Sequence, residues 1–337
     1  MPKRKKLSLV AIFGGEASGT DKRGLLRRLT TWKAREEPSK KLQRASMTQQ
    51  AMRTRRMSVE AAMEDISVDF ARKASIHPST ADEPPRKSGP NPAALAPPHI
   101  VGPVKGRSHN GTLVLLHGFT CNGPDLAEEL LPQLKDRLEG RQYNGLRFVF
   151  LTAPLRQVSC YGDPRPEHTA WHDYWSDHGG SEGRPDLEED IDQGQLEWSK
   201  AQVHQIIDAE AELLGGDHSR VAILGQSQGS CTALHCALTY PHKPAGILCS
   251  IGQLYSFTPV PDDRKDLPIF TYNGAADDCI ACCLSLRTYS RLLEAGYTRL
   301  RMRVQPEVGH EGSTAEEADL LCEALEAWGL LKPPKKR

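Results

Sequence analysis

Short apolar runs alternate with longer amphipathic segments along the chain from Gly111 onward. Runs of four to six mostly apolar residues predict strands, whereas apolar residues recurring every three or four positions predict helices. The predicted strands are Thr112–Leu116, Leu146–Leu151, Val221–Leu224, Ile247–Ile251, Ile269–Tyr272 and Leu300–Val304. The predicted helices are residues 125–138, 188–214, 230–240, 283–295 and 314–328. This order predicts an α/β fold with a mostly parallel sheet, helices on both faces, and a functional site at the carboxyl ends of the strands.

The N-terminal third of the chain lacks this alternation. Residues 1–110 contain 22 Lys and Arg against 10 Asp and Glu, only three aromatic residues, and a Pro-rich stretch from Pro78 to Pro103. The remaining residues contain 21 basic against 33 acidic side chains, so the net charge of zero hides a net +12 and a net −12. A segment with this composition has too few apolar residues to bury a core. We predict a basic, largely disordered extension over residues 1–107 with a candidate helix near 41–75, a folded domain over 108–332, and a basic tail over 333–337.

The first candidate for chemistry is the serine in Gly225-x-Ser227-x-Gly229. It stands between the predicted strand Val221–Leu224 and the predicted helix at 230–240. A nucleophilic serine on such a strand-turn-helix segment is exposed at the end of the strand, and the flanking glycines keep side-chain atoms out of the crowded turn. The structural alternative is a glycine-rich turn with no chemical role.

A histidine and an acid should follow this serine in the chain. His310 lies in a loop between the last predicted strand and the last predicted helix, whereas His235 and His242 fall within or at the end of a helix. Asp277 and Asp278 both follow the strand Ile269–Tyr272, and spacing alone does not choose between them. The order of serine, acid and histidine predicts a catalytic triad, against the alternative that the histidine is a solvated loop residue.

Two backbone N–H groups are candidates for an oxyanion hole, which stabilises the negative charge of a tetrahedral intermediate. One donor in this architecture comes from the loop after an early strand, and the other from the residue after the nucleophile. The strand Thr112–Leu116 runs into His117-Gly118, so the predicted donors are Phe119 and Gln228.

With these motifs, the chain from about Gly111 to Leu331 resembles the phospholipase/carboxylesterase family of α/β-hydrolases, which includes acyl-protein thioesterases. The resemblance rests on Leu115-Leu-His-Gly118, Thr152-Ala-Pro154, Trp171-His-Asp173, Arg220-Val-Ala-Ile-Leu-Gly-Gln-Ser-Gln-Gly229, Gly274-x-x-Asp277 and Val308-Gly-His310. It implies the α/β-hydrolase fold, and it favours Asp277 over Asp278 because the family's acid stands three residues after the glycine. It also implies that Ser227, activated by His310 and Asp277, cleaves an ester or thioester through an acyl-enzyme.

Several positions depart from the family pattern without removing a catalytic group. Gln226 replaces an aromatic residue before the serine, and Ser230 replaces a glycine or alanine after the motif. Thr120-Cys121 stand where the family generally has Gly-Asp, and Asp278-Cys279 where it often has Asp-Pro. These departures leave the preference between esters and thioesters open.

A long segment between Ala153 and Leu187 has no clear periodicity and contains several aromatic residues. Segments of this length are typically lids or binding loops. Tyr161, Trp171 and Tyr174 are therefore candidates for lining a substrate pocket. Trp171 has an equally good alternative role as an anchor of the loop on the core.

The nine cysteines, all from Cys121 onward, lack the spacing of a disulfide framework and indicate a reducing compartment. Residues Cys279–Cys283 have no histidine or second cysteine pair nearby in sequence, so no metal is expected, and the predicted chemistry needs no cofactor. No apolar stretch is long enough to span a membrane. We expect a cytoplasmic protein, although the acid-free residues before Glu16 keep an organellar presequence open.

The sequence therefore predicts a serine carboxylesterase or thioesterase. Its substrates would be small esters, lysophospholipids or S-acylated proteins, and its basic extension is a candidate for contact with an anionic membrane or an acidic partner. The alternative is a non-catalytic α/β-hydrolase scaffold that binds partners through this extension. Nucleic acid is not an expected partner, because the predicted folded domain is acidic.

Overall fold

A computed structural model of the protein describes residues 89–138, 145–162 and 167–331. The predictions for residues 1–88, including the candidate helix near 41–75, and for the tail at 333–337 lie outside these residues.

A seven-stranded sheet forms the centre of the described part of the chain, in the order β1-β3-β2-β8-β9-β10-β11. Every neighbouring pair is parallel except the edge pair β1 and β3, which is antiparallel. Two small antiparallel pairs, β4 with β5 and β6 with β7, lie in the long segment that follows β3. The strands are β1 (His99–Val101), β2 (Gly111–Leu116), β3 (Leu146–Leu151), β4 (Leu155–Gln157), β5 (Glu167–Thr169), β6 (Tyr174–Ser176), β7 (Asp190–Ile191), β8 (Val221–Gln226), β9 (Gly246–Ser250), β10 (Ile269–Gly274) and β11 (Leu300–Gln305).

Within the described residues, five α-helices cover the two faces of this sheet. They are α1 (Gly123–Leu138), α2 (Gln193–Leu213), α3 (Gln228–Thr239), α4 (Cys282–Glu294) and α5 (Ala315–Ala327). Side chains of α2, α3 and α4 share one apolar cluster, and side chains of α1 and α5 share the other. Successive residues of β2 alternate between the clusters, with Val114 in the first and Leu115 in the second. Because both faces of the central strands are buried, most residues of these strands are apolar.

The six predicted central strands and five predicted helices are confirmed to within a few residues at their ends. The largest difference is at α2, for which the sequence predicted a start at residue 188. The helix begins after Asp192, whose carboxylate accepts a hydrogen bond from Gln195 N, and residues 190–191 form β7 instead. An N-terminal carboxylate satisfies a helix N–H group that has no partner inside the helix.

The sheet also extends further towards the N-terminus than the sequence indicated. Strand β1 lies within residues 1–107, which were predicted as extension, and Ile100 pairs with Val149 of β3. Upstream of β1, the Asn91 side chain accepts a hydrogen bond from Arg156. The sequence did not predict β1, because a three-residue edge strand after a Pro-rich stretch is too short to show a periodic pattern.

Candidate active site

Ser227 occupies a sharp turn between β8 and α3. Its backbone has φ 52° and ψ −123°, a conformation that non-glycine residues rarely adopt. The two flanking glycines allow the turn to close: a Cβ at Gly225 would lie 2.2 Å from Gly229 O, and a Cβ at Gly229 would lie 2.3 Å from His117 O. Any larger residue would push one backbone segment away from another. The Gly-x-Ser-x-Gly pattern therefore follows from the close approach of β8, α3 and the end of β2.

Three side chains predicted from the sequence meet at this turn in a continuous hydrogen-bond chain. Ser227 Oγ lies 2.7 Å from His310 Nε2, and His310 Nδ1 lies 2.8 Å from Asp277 Oδ2. The Asp277 side chain is fully buried, whereas 19% of His310 is exposed. Each residue lies at or beyond the carboxyl end of a parallel strand, so the sheet brings them together at one edge.

The backbone around Asp277 holds its carboxylate in place. Asp277 Oδ1 accepts hydrogen bonds from Cys279 N and Ile280 N, each at 2.9 Å. Asp278 is exposed to solvent. Of the two aspartates that the sequence left open, only Asp277 contacts the histidine, in agreement with the family resemblance.

The glycine three residues before this acid packs against the loop that carries His310. A Cβ at Gly274 would lie 2.2 Å from Val308 O and 2.3 Å from Gly309 O. Ala276 N also donates to Val308 O at 2.9 Å. The acid loop and the histidine loop are thus attached through their backbones beside the side-chain contact.

The two predicted oxyanion donors belong to residues next to the nucleophile turn in the chain or in space. Gln228 is the first residue of α3, so its N–H has no acceptor within the helix. Phe119 follows Gly118, at which a Cβ would lie only 3.2 Å from Ser227 Cβ. Within the described ranges, no residue accepts a hydrogen bond from Phe119 N. Their role as oxyanion donors stays a prediction.

The loop after β2 contains a strained residue next to Phe119. Thr120 has φ 68°, in the left-handed region that favours glycine, and the family resemblance implies a glycine here. Its N–H donates to Thr169 O at 3.0 Å, and Thr169 Oγ1 donates to Cys121 O at 2.5 Å. These contacts with β5 hold the loop in a conformation that a β-branched residue adopts only at a cost of about 1–3 kcal/mol.

Trp171 anchors the long segment after β3 to the nucleophile turn. Its side chain is fully buried in the core cluster, and its Nε1 donates to His117 O at 2.8 Å. The Gln228 side chain accepts from Trp171 N at 2.8 Å and donates to His172 O at 3.0 Å. Of the two roles the sequence left open for Trp171, this environment fits the anchor. The sequence predicted a role for the backbone N–H of Gln228 alone, but its side chain also holds this loop through the two hydrogen bonds.

The aspartate of the Trp-His-Asp motif organises the same segment. Asp173 accepts hydrogen bonds from Ser159 N at 2.7 Å and Ser159 Oγ at 2.5 Å. Arg156 is buried nearby, its Nε donating to Ala170 O at 3.1 Å, and burial lowers the pKa of its guanidinium to about 10. The guanidinium stays charged at neutral pH. No pattern in the sequence marks Arg156, because its role depends on contacts across an aperiodic loop.

Tyr161 and Tyr174 both pack against the ring of Phe119. The Tyr161 ring stacks on it with a centroid distance of 5.8 Å, and the Tyr174 ring meets it edge-on at 5.7 Å. Tyr161 is 47% exposed and Tyr174 only 8%. The two tyrosines thus form an aromatic wall beside the loop that carries the predicted oxyanion donor.

His117, directly before Gly118, is a neutral histidine. Its Nε2 accepts from Ala153 N at 3.0 Å, so its proton is on Nδ1, which donates to Gly118 O at 2.6 Å. Burial lowers the pKa of this imidazole to about 4. The side chain therefore ties the end of β2 to the end of β3 without carrying a charge into the site.

Comparison with known proteins agrees with this geometry. The phospholipase/carboxylesterase family model matches residues 100–321, which include Ser227, Asp277 and His310. The chain belongs to the phospholipase/carboxylesterase family. It is 28% identical over 239 residues to acyl-protein thioesterase 1 of Neurospora crassa, covering 69% of this chain and 91% of that protein. It is also 28% identical over 250 residues to lysophospholipase-like protein 1 of Mus musculus, covering 72% of this chain and 95% of that protein.

Among solved structures, the crystal structure of Zea mays acyl-protein thioesterase 2 matches with a TM-score of 0.53 and 23% sequence identity. The match covers 68% of this chain and 98% of that one. At this identity the likeness concerns the fold alone, and the fold of this family member is the α/β-hydrolase fold. The predicted fold class is confirmed.

Within the part of the chain that the structure describes, no helix has the length and apolar character to cross a bilayer. The described residues also contain no group of three or more His, Cys, Asp or Glu side chains arranged to hold a metal ion, and this includes Cys279–Cys283.

Proposed function

We propose that this protein is a serine hydrolase that cleaves carboxylic esters or thioesters through Ser227, His310 and Asp277. The observation that carries the proposal is the hydrogen-bond chain from Asp277 through His310 to Ser227 Oγ. A serine hydroxyl is a weak nucleophile until a base removes its proton, and a histidine held by a carboxylate is such a base. Nothing in a purely structural role would require all three groups in this order and geometry.

The proposed reaction has two halves. His310 Nε2 takes the proton of Ser227 as Oγ attacks the carbonyl carbon, and Asp277 stabilises the imidazolium that forms. The tetrahedral oxyanion accepts hydrogen bonds from Phe119 N and Gln228 N, each donor being worth about 10²–10³ in turnover in enzymes of this kind. His310 then protonates the departing alcohol or thiol, which leaves an acyl-enzyme. A water molecule activated by His310 attacks this acyl group, releases the carboxylic acid and restores Ser227.

The substrate class in this proposal is an acyl ester or thioester. Relatives carry the names acyl-protein thioesterase 1, lysophospholipase-like protein 1 and probable carboxylesterase, so S-acylated proteins, lysophospholipids and small esters are all within it. The aromatic wall of Tyr161 and Tyr174, packed against Phe119, supports an apolar acyl or leaving group beside the serine. No metal or organic cofactor takes part in the proposed steps.

A cytoplasmic location belongs to the same proposal. None of the nine cysteines, all of which lie within the described residues, forms a disulfide, which is the state expected in a reducing compartment. Binding of an anionic membrane or an acidic partner by the basic extension stays a prediction, since residues 1–88 of that extension lie outside the described residues.

A fluorophosphonate probe tests the proposal directly, because it forms a covalent bond only with an activated serine. We expect the wild type to be labelled on Ser227 and Ser227→Ala to resist labelling. Ser230→Ala is the matched control, because Ser230 is also buried beside the turn but is not part of the proposed triad. It should label as the wild type does.

The same experiment separates an enzyme from a scaffold. A folded wild-type protein that resists the probe and cleaves neither p-nitrophenyl esters nor acyl thioesters of increasing chain length would contradict the proposal. It would favour a non-catalytic scaffold that binds partners through its extension. For a reactive wild type, the ratio of kcat/KM values on matched oxygen and sulfur esters measures the preference between the two bonds.

A further inference from the structure

The residue directly before the nucleophile makes polar contacts that the proposed reaction does not use. Gln226 is the last residue of β8, and its side chain is almost fully buried. Its Nε2 donates to Ser313 Oγ at 3.0 Å and to Glu317 Oε1 at 3.2 Å. The amide therefore joins the strand that carries Ser227 to the segment that follows His310.

Glu317 completes this polar contact from the first turn of α5. The Ser313 N–H donates to Glu317 Oε2 at 2.5 Å, and the side chain of Glu317 is fully buried. Burial raises the pKa of this carboxyl to about 6. Ser313 has φ 55°, a backbone conformation that a serine adopts only when its surroundings hold it there. The carboxylate and the amide of Gln226 supply that restraint.

Packing presses the histidine loop, residues 306–314, onto the same amide. A Cβ at Gly312 would lie 2.8 Å from both Cδ and Nε2 of Gln226, so the backbone at Gly312 rests directly on the side-chain amide. On the other side of the histidine, Val308 O accepts from Ala276 N. His310 therefore lies between two attachment points, one to the acid loop and one to the nucleophile strand.

We propose that Gln226 and Glu317 are positioning residues that fix the histidine loop against the nucleophile strand and so set the distance between His310 Nε2 and Ser227 Oγ. This inference rests on the proposed function and adds the means by which base and nucleophile stay in register. Reacting groups that are displaced by about 1 Å lose on the order of 10²-fold in rate. The family resemblance implies an aromatic residue at position 226, so the amide contact replaces packing by directional hydrogen bonds in this chain.

The first test uses two variants that keep the size of the side chains. Gln226→Met removes the donor but nearly keeps the volume, and Glu317→Gln removes the charge but keeps the shape. For each variant, we would count active sites from the amount of covalent fluorophosphonate label or from the burst of p-nitrophenol released by a p-nitrophenyl ester. We would then measure KM and kcat per titrated site. We expect kcat per site and the rate of probe labelling to fall about 10-fold or more, with KM within about twofold of the wild type.

A reciprocal exchange distinguishes positioning from loss of stability. Gln226→Glu alone places a second carboxylate against Glu317 and should lower kcat strongly. Adding Glu317→Gln reverses donor and acceptor, because the new carboxylate at position 226 can accept from the amide at position 317, whose oxygen still accepts from Ser313 N. The double variant should recover most of the lost kcat per site.

Glu210→Gln is the matched control for removing a buried carboxylate. Glu210 is 5% exposed, accepts from Thr112 Oγ1 at 3.0 Å, and pairs with Arg147 away from the site. This variant should lower the melting temperature and leave kcat per titrated site unchanged.

The possible outcomes separate the two hypotheses. If Gln226→Met and Glu317→Gln behave like the control, with a lower melting temperature but wild-type kcat per site, the positioning role is wrong and the contacts are merely structural. A wild type that resists the probe would instead overturn the proposed function and this inference together. A reactive wild type with slow variants and a recovered double variant supports both.

Discussion

Replacing Asp277 by asparagine is the sharpest test of how the site works, because the structure dictates how the new side chain must lie. Asp277 Oδ1 accepts hydrogen bonds from Cys279 N and Ile280 N, both at 2.9 Å. In Asp277→Asn the amide oxygen has to stay at that position, because an NH₂ group there would face two backbone donors. The NH₂ group must therefore occupy the position of Oδ2, which now lies 2.8 Å from His310 Nδ1.

This orientation reverses the tautomer of the histidine. In the wild type the carboxylate accepts from Nδ1–H, so Nε2 has a free lone pair to take the proton of Ser227, whose Oγ lies 2.7 Å away. His310 Nδ1 lies closer to this NH₂ group than to the Oδ1 position, which is 3.0 Å away and already accepts two backbone hydrogen bonds. We therefore expect Nδ1 to become the acceptor and the proton to move to Nε2. An imidazole protonated there is unable to act as the base. The same substitution in a serine hydrolase triad lowers turnover by about 10⁴ through this change of tautomer, and we expect a loss of that order.

Asp278→Asn is the matched control, since Asp278 is the next residue and is exposed to solvent. The assay is kcat/KM for a p-nitrophenyl ester together with the rate of fluorophosphonate labelling, and circular dichroism would establish that each variant is folded. Asp277→Asn should lose about 10⁴ in both rates while Asp278→Asn stays within about twofold of the wild type. Comparable losses in both variants, or a larger loss in Asp278→Asn, would falsify the assignment of the acid.

Two further predictions concern the frame around the site. Gly229→Ala should abolish activity and lower the melting temperature, because its Cβ would lie 2.3 Å from His117 O. Gly102→Ala is the control: a Cβ there has open space, so neither activity nor melting temperature should change. Equal behaviour of the two variants would contradict this prediction. Burial lowers the pKa of His172 from 6.5 to about 3 in the folded state. Below pH 6.5 the imidazole is therefore protonated in the unfolded chain but not in the folded one, and stability falls as the pH drops. Between pH 7 and pH 5 this histidine should account for about 2 kcal/mol of lost unfolding free energy, measured with urea. In His172→Gln, which also loses the bond to Tyr255, the unfolding free energy should fall correspondingly less between the two pH values.

The residues of the proposed triad were predictable from the sequence because the fold class constrains them. Ser227, Asp277 and His310 each follow a strand of a parallel sheet, and the carboxyl ends of parallel strands meet at one edge. Apolar runs long enough to be read as buried strands therefore gave both the architecture and the convergence of the three side chains. Only the choice between Asp277 and Asp278 required the family resemblance.

The residues that support the site were not predictable in the same way. The segment from β4 to β7 is built from two- and three-residue strands, which are too short to produce a period. Its order comes from side chains such as Arg156 and Asp173, which bond backbone groups of other parts of that segment. The role of Trp171, as pocket lining or as anchor of the loop, depends on the residues around its ring. A pattern of polar and apolar positions does not contain information about these tertiary neighbours.

The glycines of the family motifs carry some of this missing long-range information. Gly229 stands where a side chain would strike the carbonyl of His117, and Gly274 where it would strike the carbonyls of Val308 and Gly309. Each glycine thus marks a place where two segments far apart in the chain approach closely enough to exclude a Cβ. Gly312 is a third such position, against the amide of Gln226, and it is not part of a recognised motif. If Gln226 and Glu317 position the histidine, Gly312→Ala should slow the enzyme as the loss of that amide does, whereas a Gly312→Ala variant with normal kcat per site would show that the histidine loop tolerates displacement at this end.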